Sequence, residues 1–219
     1  MVTYDGLRKN AEINTYITRA DESLSALGFT EHSFPHVCRV AEIAGETLRI
    51  LGYSAHEIEL AKIAAYLHDI GNLVNRVDHS QSGAVMAFRL LDHMDMDPAD
   101  IATVVTAIGN HDEGTGVPVN AVAAALILAD KSDVRRSRVR NRDAAAFDIH
   151  DRVNYSVERS ALRVDPAGKT ALLELTVDTD FGSVMDYFEI FMKRMVLCRR
   201  AAERLGLRFQ LSINGQQLI

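Results

Sequence analysis

The 219-residue chain has only two cysteines, Cys38 and Cys198. Two isolated thiols give no disulfide framework and no Cys-x-x-Cys site, so both read as reduced and at least partly buried. Positive charge is not in excess: 24 Lys and Arg stand against 30 Asp and Glu, a net charge of −6. That argues against a nucleic-acid polymer as partner, because neutralising phosphates needs a basic surface. A small anionic substrate remains compatible, since a site can be locally positive in an acidic protein. The longest apolar run, residues 121–129, is far too short to span a bilayer. The stretch Met1-Val2-Thr3-Tyr4-Asp5-Gly6 lacks the apolar core of a signal peptide. The expectation is a cytoplasmic protein with no membrane partner. Internal repeats and low-complexity tracts are missing too.

What is present is apolar material for a core, with 47% hydrophobic and 25% charged residues. The length suits one large domain, or one domain with a small appendage. Helical periodicity runs through the first two-thirds. Val37, Val40, Ile43, Ala44, Leu48 and Leu51 share a helical spacing that Gly52 ends. Ser54 and Glu57 have capping-box spacing ahead of a helix through Leu67, which Gly71 should stop. A helix over about 80–92 carries Val85, Phe88 and Leu91 on one face. Asp97-Pro98 is an N-cap followed by proline at the first helical position. A further apolar helix spans about 119–133, after a loop marked by Gly114 and Gly116.

Beyond residue 150 the pattern changes. Residues 160–164 and 171–177 read as strands around an Asp165-Pro166-Ala167-Gly168 turn. Residues 181–205 read as a long amphipathic helix that Gly206 stops, followed by a strand over 207–213. Val184, Met185, Phe188, Phe191, Met192, Met195 and Val196 form an apolar stripe on that helix. Core packing is the reading taken for it, with a ligand groove or a homodimer face as the alternative. The chain is therefore expected to be mostly α, with a helical domain over 1–149 and a small α+β C-terminal subdomain over 150–219, built of a short mixed sheet and one long helix.

Six residues carry the chemistry. His68-Asp69, in Leu67-His68-Asp69-Ile70-Gly71, joins an imidazole to a carboxylate able to bridge two ions. His36 lies four residues before Val40, on the core side of its helix. His111 lies four after Ala107, and Asp130 four after Leu126 on a nearly all-apolar helix. His79 completes the series. A buried unpaired carboxylate costs several kcal/mol, so Asp130 needs a compensating charge, and a divalent cation is a natural one. Any one of these histidines alone would read as a core residue bonded to backbone. Six in the order His, His-Asp, His, His, Asp are better explained as a metal site.

That order resembles the HD superfamily of metal-dependent phosphohydrolases, in the subset with the His-Asp-Ile-Gly form of the motif. The resemblance covers about residues 30–135, with His36, His68, Asp69 and Asp130 at the four defining positions. The flanking Val37-Cys38-Arg39-Val40-Ala41 and Ala125-Leu126-Ile127-Leu128-Ala129 are typical too. His79 and His111 match the dinuclear branch, which includes bacterial diadenosine tetraphosphate hydrolases. The resemblance implies an HD-domain helical bundle. It also implies that His36, His68, Asp69 and Asp130 hold one metal, and that Asp69 bridges to a second held by His79 and His111. Two departures stand out. Many relatives have lysine where this chain has Asn72, and the Gly-Tyr-Pro signature of cyclic di-GMP phosphodiesterases is absent, with Asn110-His111 in place of their paired histidines.

The chemistry expected is hydrolysis of a phosphomonoester or phosphodiester in a small phosphorylated metabolite, a nucleotide by preference. Attack would be in line, by a metal-bridging hydroxide, with His68 and Asp69 central to catalysis. The cofactors expected are two divalent ions, iron or manganese first, with zinc, nickel, cobalt and magnesium also compatible with the ligands. Lys131, Asp133 and the arginines at 135, 136, 138, 140 and 142 follow Asp130; most of the arginines read as a solvated helix end, while Lys131, Arg135 and Asn72 are kept as substrate-binding candidates. His32 has a weaker claim to support the site, His56 and His93 read as surface residues, and no spacing places His150. Two other classes share the ligand order: mixed-valent diiron oxygenases of the superfamily, and a metal-stabilised sensing or dimerisation module without catalysis.

Overall fold

A computed structural model describes residues 2–141, 143 and 147–219; Arg142 of the basic run lies outside them. The helical part comprises α1 (Tyr4–Arg8), α2 (Ala11–Ala26), α3 (Phe34–Ile50), α4 (Ala55–Leu67), α5 (His79–Asp92), α6 (Pro98–Gly109) and α7 (Ala121–Ser132). Local chemistry sets their ends. Ser54 and Glu57 form the reciprocal capping box ahead of α4. Asp97 accepts from the Ala99 amide to start α6. Gly52, at φ 79°, closes α3 in a conformation that glycine alone adopts freely.

After α8 (Ile149–Ser156) the chain forms β1 (Val157–Asp165), β2 (Thr170–Val177), α9 (Val184–Arg204), β3 (Arg208–Ile213) and β4 (Gln216–Gln217). The sheet order is β1-β2-β3-β4. β1 and β2 are the expected hairpin, whereas β3 runs parallel to β2. A parallel pair needs a crossover, and α9 supplies it. The fold is thus a helical bundle with a small α+β C-terminal appendage, as the sequence pattern indicated. α9 packs on α7, and one continuous apolar core runs from Tyr4 to Ile213. Among the described residues, no helix is long and apolar enough to cross a membrane.

Two local expectations change. Gly71 does not simply stop α4. That helix already ends at Leu67, and residues Ile70–Leu73 form a 3-10 turn. A Cβ on Gly71 would lie 2.0 Å from the His79 carbonyl and 2.4 Å from the Gly83 amide, so Gly71 is there for close approach to α5. The inward face of α5 is consequently made of small residues, Gly83, Ala84 and Ala87, with Leu90 and Leu91. Val85 and Phe88 point outward, 69% and 52% exposed. The stripe on α9 also divides. Tyr187, Phe191, Met195 and Cys198 are buried, while Met185 and Met192 are exposed.

Candidate metal centre and adjoining cleft

The six ligand-type residues arrive from five helices. His36 sits in the first turn of α3, just after Pro35. His68 caps the end of α4, and Asp69 follows before the 3-10 turn. His79 is the first residue of α5, His111 lies just past the end of α6, and Asp130 is in the last turns of α7. All four imidazoles and Asp69 are buried.

Every imidazole is fixed through its Nδ1. The Nδ1 of His68 lies 2.7 Å from the Ala65 carbonyl, that of His79 3.0 Å from the Arg76 carbonyl, and that of His111 2.7 Å from the Ile108 carbonyl. A carbonyl only accepts, so each of these Nδ1 atoms carries a proton and donates it. In His36 the acceptor is the Asp133 carboxylate, at 2.8 Å. All four Nε2 atoms are thereby turned toward a common centre, the tautomer that metal-ligating histidines adopt when the other nitrogen is held.

Those Nε2 atoms fall into two close pairs. His36 and His68 are 3.3 Å apart, and His79 and His111 are 3.2 Å apart. Asp69 serves both with different oxygens. Its Oδ2 lies 3.2 Å from His68 Nε2 and 3.5 Å from His36 Nε2, while its Oδ1 lies 3.5 Å from His79 Nε2 and 4.0 Å from His111 Nε2. Asp130 Oδ1 joins the first pair, 3.4 Å from His36 and 3.7 Å from His68. His36, His68 and Asp130 offer ligand atoms all within 4.8 Å of one another, and so do His68, Asp69 and His111.

Electrostatics distinguish the two pairs. Burial alone would lower the His68 pKa, but the Asp69 and Asp130 carboxylates outweigh it and push it up to about 10. A proton there stands in for positive charge that the carboxylates demand. At His79 and His111 burial prevails and holds both below the ordinary histidine value, so both rings are neutral. Two neutral imidazoles, each with its N–H committed elsewhere, then face each other through lone pairs at 3.2 Å. Arg76 Nη1, 3.4 Å from His79 Nε2, relieves this only in part. A divalent cation between such donors removes the repulsion, so the residues fit a metal.

The surroundings hold this set in place. Asn72 Nδ2 donates to the Asp69 carbonyl at 2.9 Å and to its Oδ1 at 3.0 Å. Lys131 is buried, with Nζ 2.7 Å from Asp130 Oδ2 and 3.4 Å from Glu113 Oε1. Arg135 is engaged with Asp133, Glu31 and Ser137. Asp133 is a hub that also pairs with Arg39 at 3.0 Å. Its carboxyl is held far below the usual range because bonds to His36 and nearby arginines outweigh burial.

Beside the imidazoles lies a cleft of about 380 Å³. It meets the centre at His32, whose ring lies 5.6 Å from that of His36, and at Arg76. Glu113 and Arg194, paired at 2.8 Å, form another part of its wall, as does His150 on α8. Lys131 and Arg135 do not line it. Sequence reasoning singled out neither Arg76, Glu113 nor Arg194, and Asp133 only as a charged neighbour. Arg194 carried a usable signal, since it falls on the buried face of α9 with Tyr187, Phe191 and Cys198. Asp133 did too, one helical turn beyond Asp130.

Residues 34–152 match the family model of the HD domain. An uncharacterised protein of Methanocaldococcus jannaschii is 28% identical over 184 residues, covering 73% of this chain and 70% of its own. The crystal structure of a predicted HD superfamily hydrolase from an uncultured Thermotogales bacterium is 31% identical, covers 57% of this chain and 67% of its own, and gives a TM-score of 0.44.

Proposed function

The chain belongs to the HD-domain family, and from that membership and its donor set we propose that it is a metal-dependent phosphoric ester hydrolase. The substrate class is a small phosphorylated metabolite of nucleotide type. The observation that carries this reading is the common orientation of the four imidazoles. Each has Nδ1 tied to an acceptor and Nε2 aimed inward, around a carboxylate whose two oxygens face different pairs.

In this reading His36, His68, Asp69 and Asp130 would hold one divalent ion, and His79 and His111, sharing Asp69, would hold another. When bound, two such ions lower the pKa of water and balance charge on a transferring phosphoryl group. The rest is done by the chain itself. Asn72 keeps the Asp69 carboxylate turned so that both oxygens remain available. Asp133 keeps His36 from rotating. Lys131 offsets the charge of Asp130 without entering the cleft, so Asp130 stays ionised despite its burial. The cleft brings the substrate alongside His32 and Arg76 and away from bulk water.

Metal analysis of the freshly purified protein, with phosphate release from nucleotides, phosphomonoesters and phosphodiesters, tests the proposal. The wild type should carry divalent metal and release phosphate or a nucleotide product from one of these classes. Asp69→Ala should lose metal and abolish turnover while keeping helical circular dichroism. A wild type without metal, or an Asp69→Ala variant with undiminished turnover, overturns it.

A further inference from the structure

Among the described residues three guanidinium groups line the cleft, and two are already engaged. Arg138 donates through Nε to the Glu31 carbonyl at 2.8 Å and through Nη1 to the Asp133 carbonyl at 2.7 Å. Arg194 donates to Glu113 at 2.8 Å. Arg76 differs from both. Among the described residues no carboxylate lies within ion-pair distance of it, and its polar contacts are long, 3.3 Å to Asn72 Oδ1 and 3.4 Å to His79 Nε2. Half-buried at the boundary between cleft and imidazoles, it keeps most of its five donors unused. A planar cation with unpaired N–H groups beside a cluster of metal-type donors is suited to an oxyanion.

The remaining walls limit how much anion the cleft accepts. Asp148 and Asp151 line it from the start of α8, and Glu113 lines it from the other side. A second or third phosphate extending along the cleft would meet these carboxylates, with no further unpaired cation among the described residues of its wall to receive it. Phe29, whose ring lies 5.8 Å from the Arg76 guanidinium, and Phe191 supply apolar surface for a flat group. The carboxylates of α8 can accept from hydroxyls. At about 380 Å³ the cleft is at the small end of ligand sites, which span roughly 300–1,000 Å³.

We propose that Arg76 is the phosphoryl-binding residue of this site, and that the cleft selects ligands with a single phosphoryl group on a hydroxylated, partly planar body. A nucleoside monophosphate has that chemistry; a polyphosphate does not. The assignment rests on the hydrolase reading given above and sharpens its substrate class.

The test uses the full-length, manganese-loaded protein. Inorganic phosphate is titrated calorimetrically into wild type, Arg76→Gln and Arg76→Lys, with metal content measured for each. Phosphate affinity should fall about tenfold or more in Arg76→Gln, the loss expected of a charged hydrogen-bonding partner. Arg76→Lys should recover part of it, and metal content should stay equal in all three. In parallel, wild-type kcat/KM should be higher for a nucleoside monophosphate than for its diphosphate. Phosphate affinity within twofold of wild type in Arg76→Gln, metal loss in that variant, or a preference for the diphosphate overturns the assignment. If the wild type turns over esters while Arg76→Gln behaves identically, only Arg76 falls. If the metal-loaded wild type neither binds phosphate nor cleaves any ester, the hydrolase reading falls and Arg76 with it.

Discussion

Among the described ligand-type residues the Asp133 carboxylate pairs with His36 alone, yet it decides what that imidazole can do. Its Oδ2 accepts the Nδ1–H of His36 at 2.8 Å, while its Oδ1 is held by Arg39 at 3.0 Å and Arg135 at 2.9 Å. The carboxylate is therefore clamped, and His36 is clamped by it in the tautomer that leaves Nε2 free for a metal. Loss of such an outer partner typically weakens metal binding about 10–100-fold. Asp133→Asn keeps the shape but removes the charge, so it should weaken binding of the first ion by about that factor, measured by competition with a chelator of known affinity. An unchanged affinity would show that the packing of α3 alone orients His36. Residue types and order along the chain were enough to identify His36, His68, Asp69, His79, His111 and Asp130 as a candidate set. What they could not reveal is the support, because Asp133, Glu113 and Arg76 are ordinary surface-type residues until tertiary contacts bury or orient them.

At the level of elements, the centre depends on how closely the turn after α4 approaches α5. Gly71 and Gly83 face each other there, and the Cβ that Gly71 lacks would collide with the backbone of His79 and Gly83. Gly71→Ala therefore has to push the first turn of α5 outward, and His79 is the first residue of that turn. Overpacking of this kind costs about 1–3 kcal/mol. The expected outcome is a lower melting temperature together with a reduced metal content that spares the His36 side more than the His79 side. Equal stability and full metal loading would show that α5 shifts without carrying His79 away. The Ser54–Glu57 capping box, Asp97-Pro98 and Gly52 located helix ends from sequence because their signals are local. The true inward face of α5 was not legible, since hydrophobicity favoured Val85 and Phe88, whereas tight backbone approach demanded Gly83, Ala84 and Ala87. The parallel placement of β3 was hidden for the same reason: strand order is a long-range property.

Across the whole molecule, the C-terminal appendage is tied to the metal-bearing helices by an ion-pair chain as well as by the common core. Asp130 and Glu113 share Lys131, and Glu113 also receives Arg194 from α9. The appendage thus reaches the wall of the cleft, which no spacing in the sequence announced. Burial tends to raise the Glu113 pKa, but Lys131 and Arg194 outweigh that and hold it far below the ordinary value. A depressed carboxylate pKa stabilises the fold above its unfolded value, about 4.3, and that contribution is lost as pH falls toward the folded value. At pH 7 Glu113→Gln leaves Arg194 and Lys131 with less compensation, at a cost of about 3 kcal/mol for a largely buried pair. For a chain of this length about 1 kcal/mol corresponds to roughly 2–4 °C, so the variant should melt near 10 °C lower at pH 7. The gap between wild type and variant should narrow below about pH 4, as Glu113 begins to take up a proton in the unfolded chain. Calorimetric scans of both proteins at pH 7, 5 and 3 check this. A gap that stays constant across the three values would mean that Glu113 acts through packing or neutral hydrogen bonding rather than through its charge. In that case α9 is held to the bundle by the apolar contacts of Phe191, Met195 and Cys198.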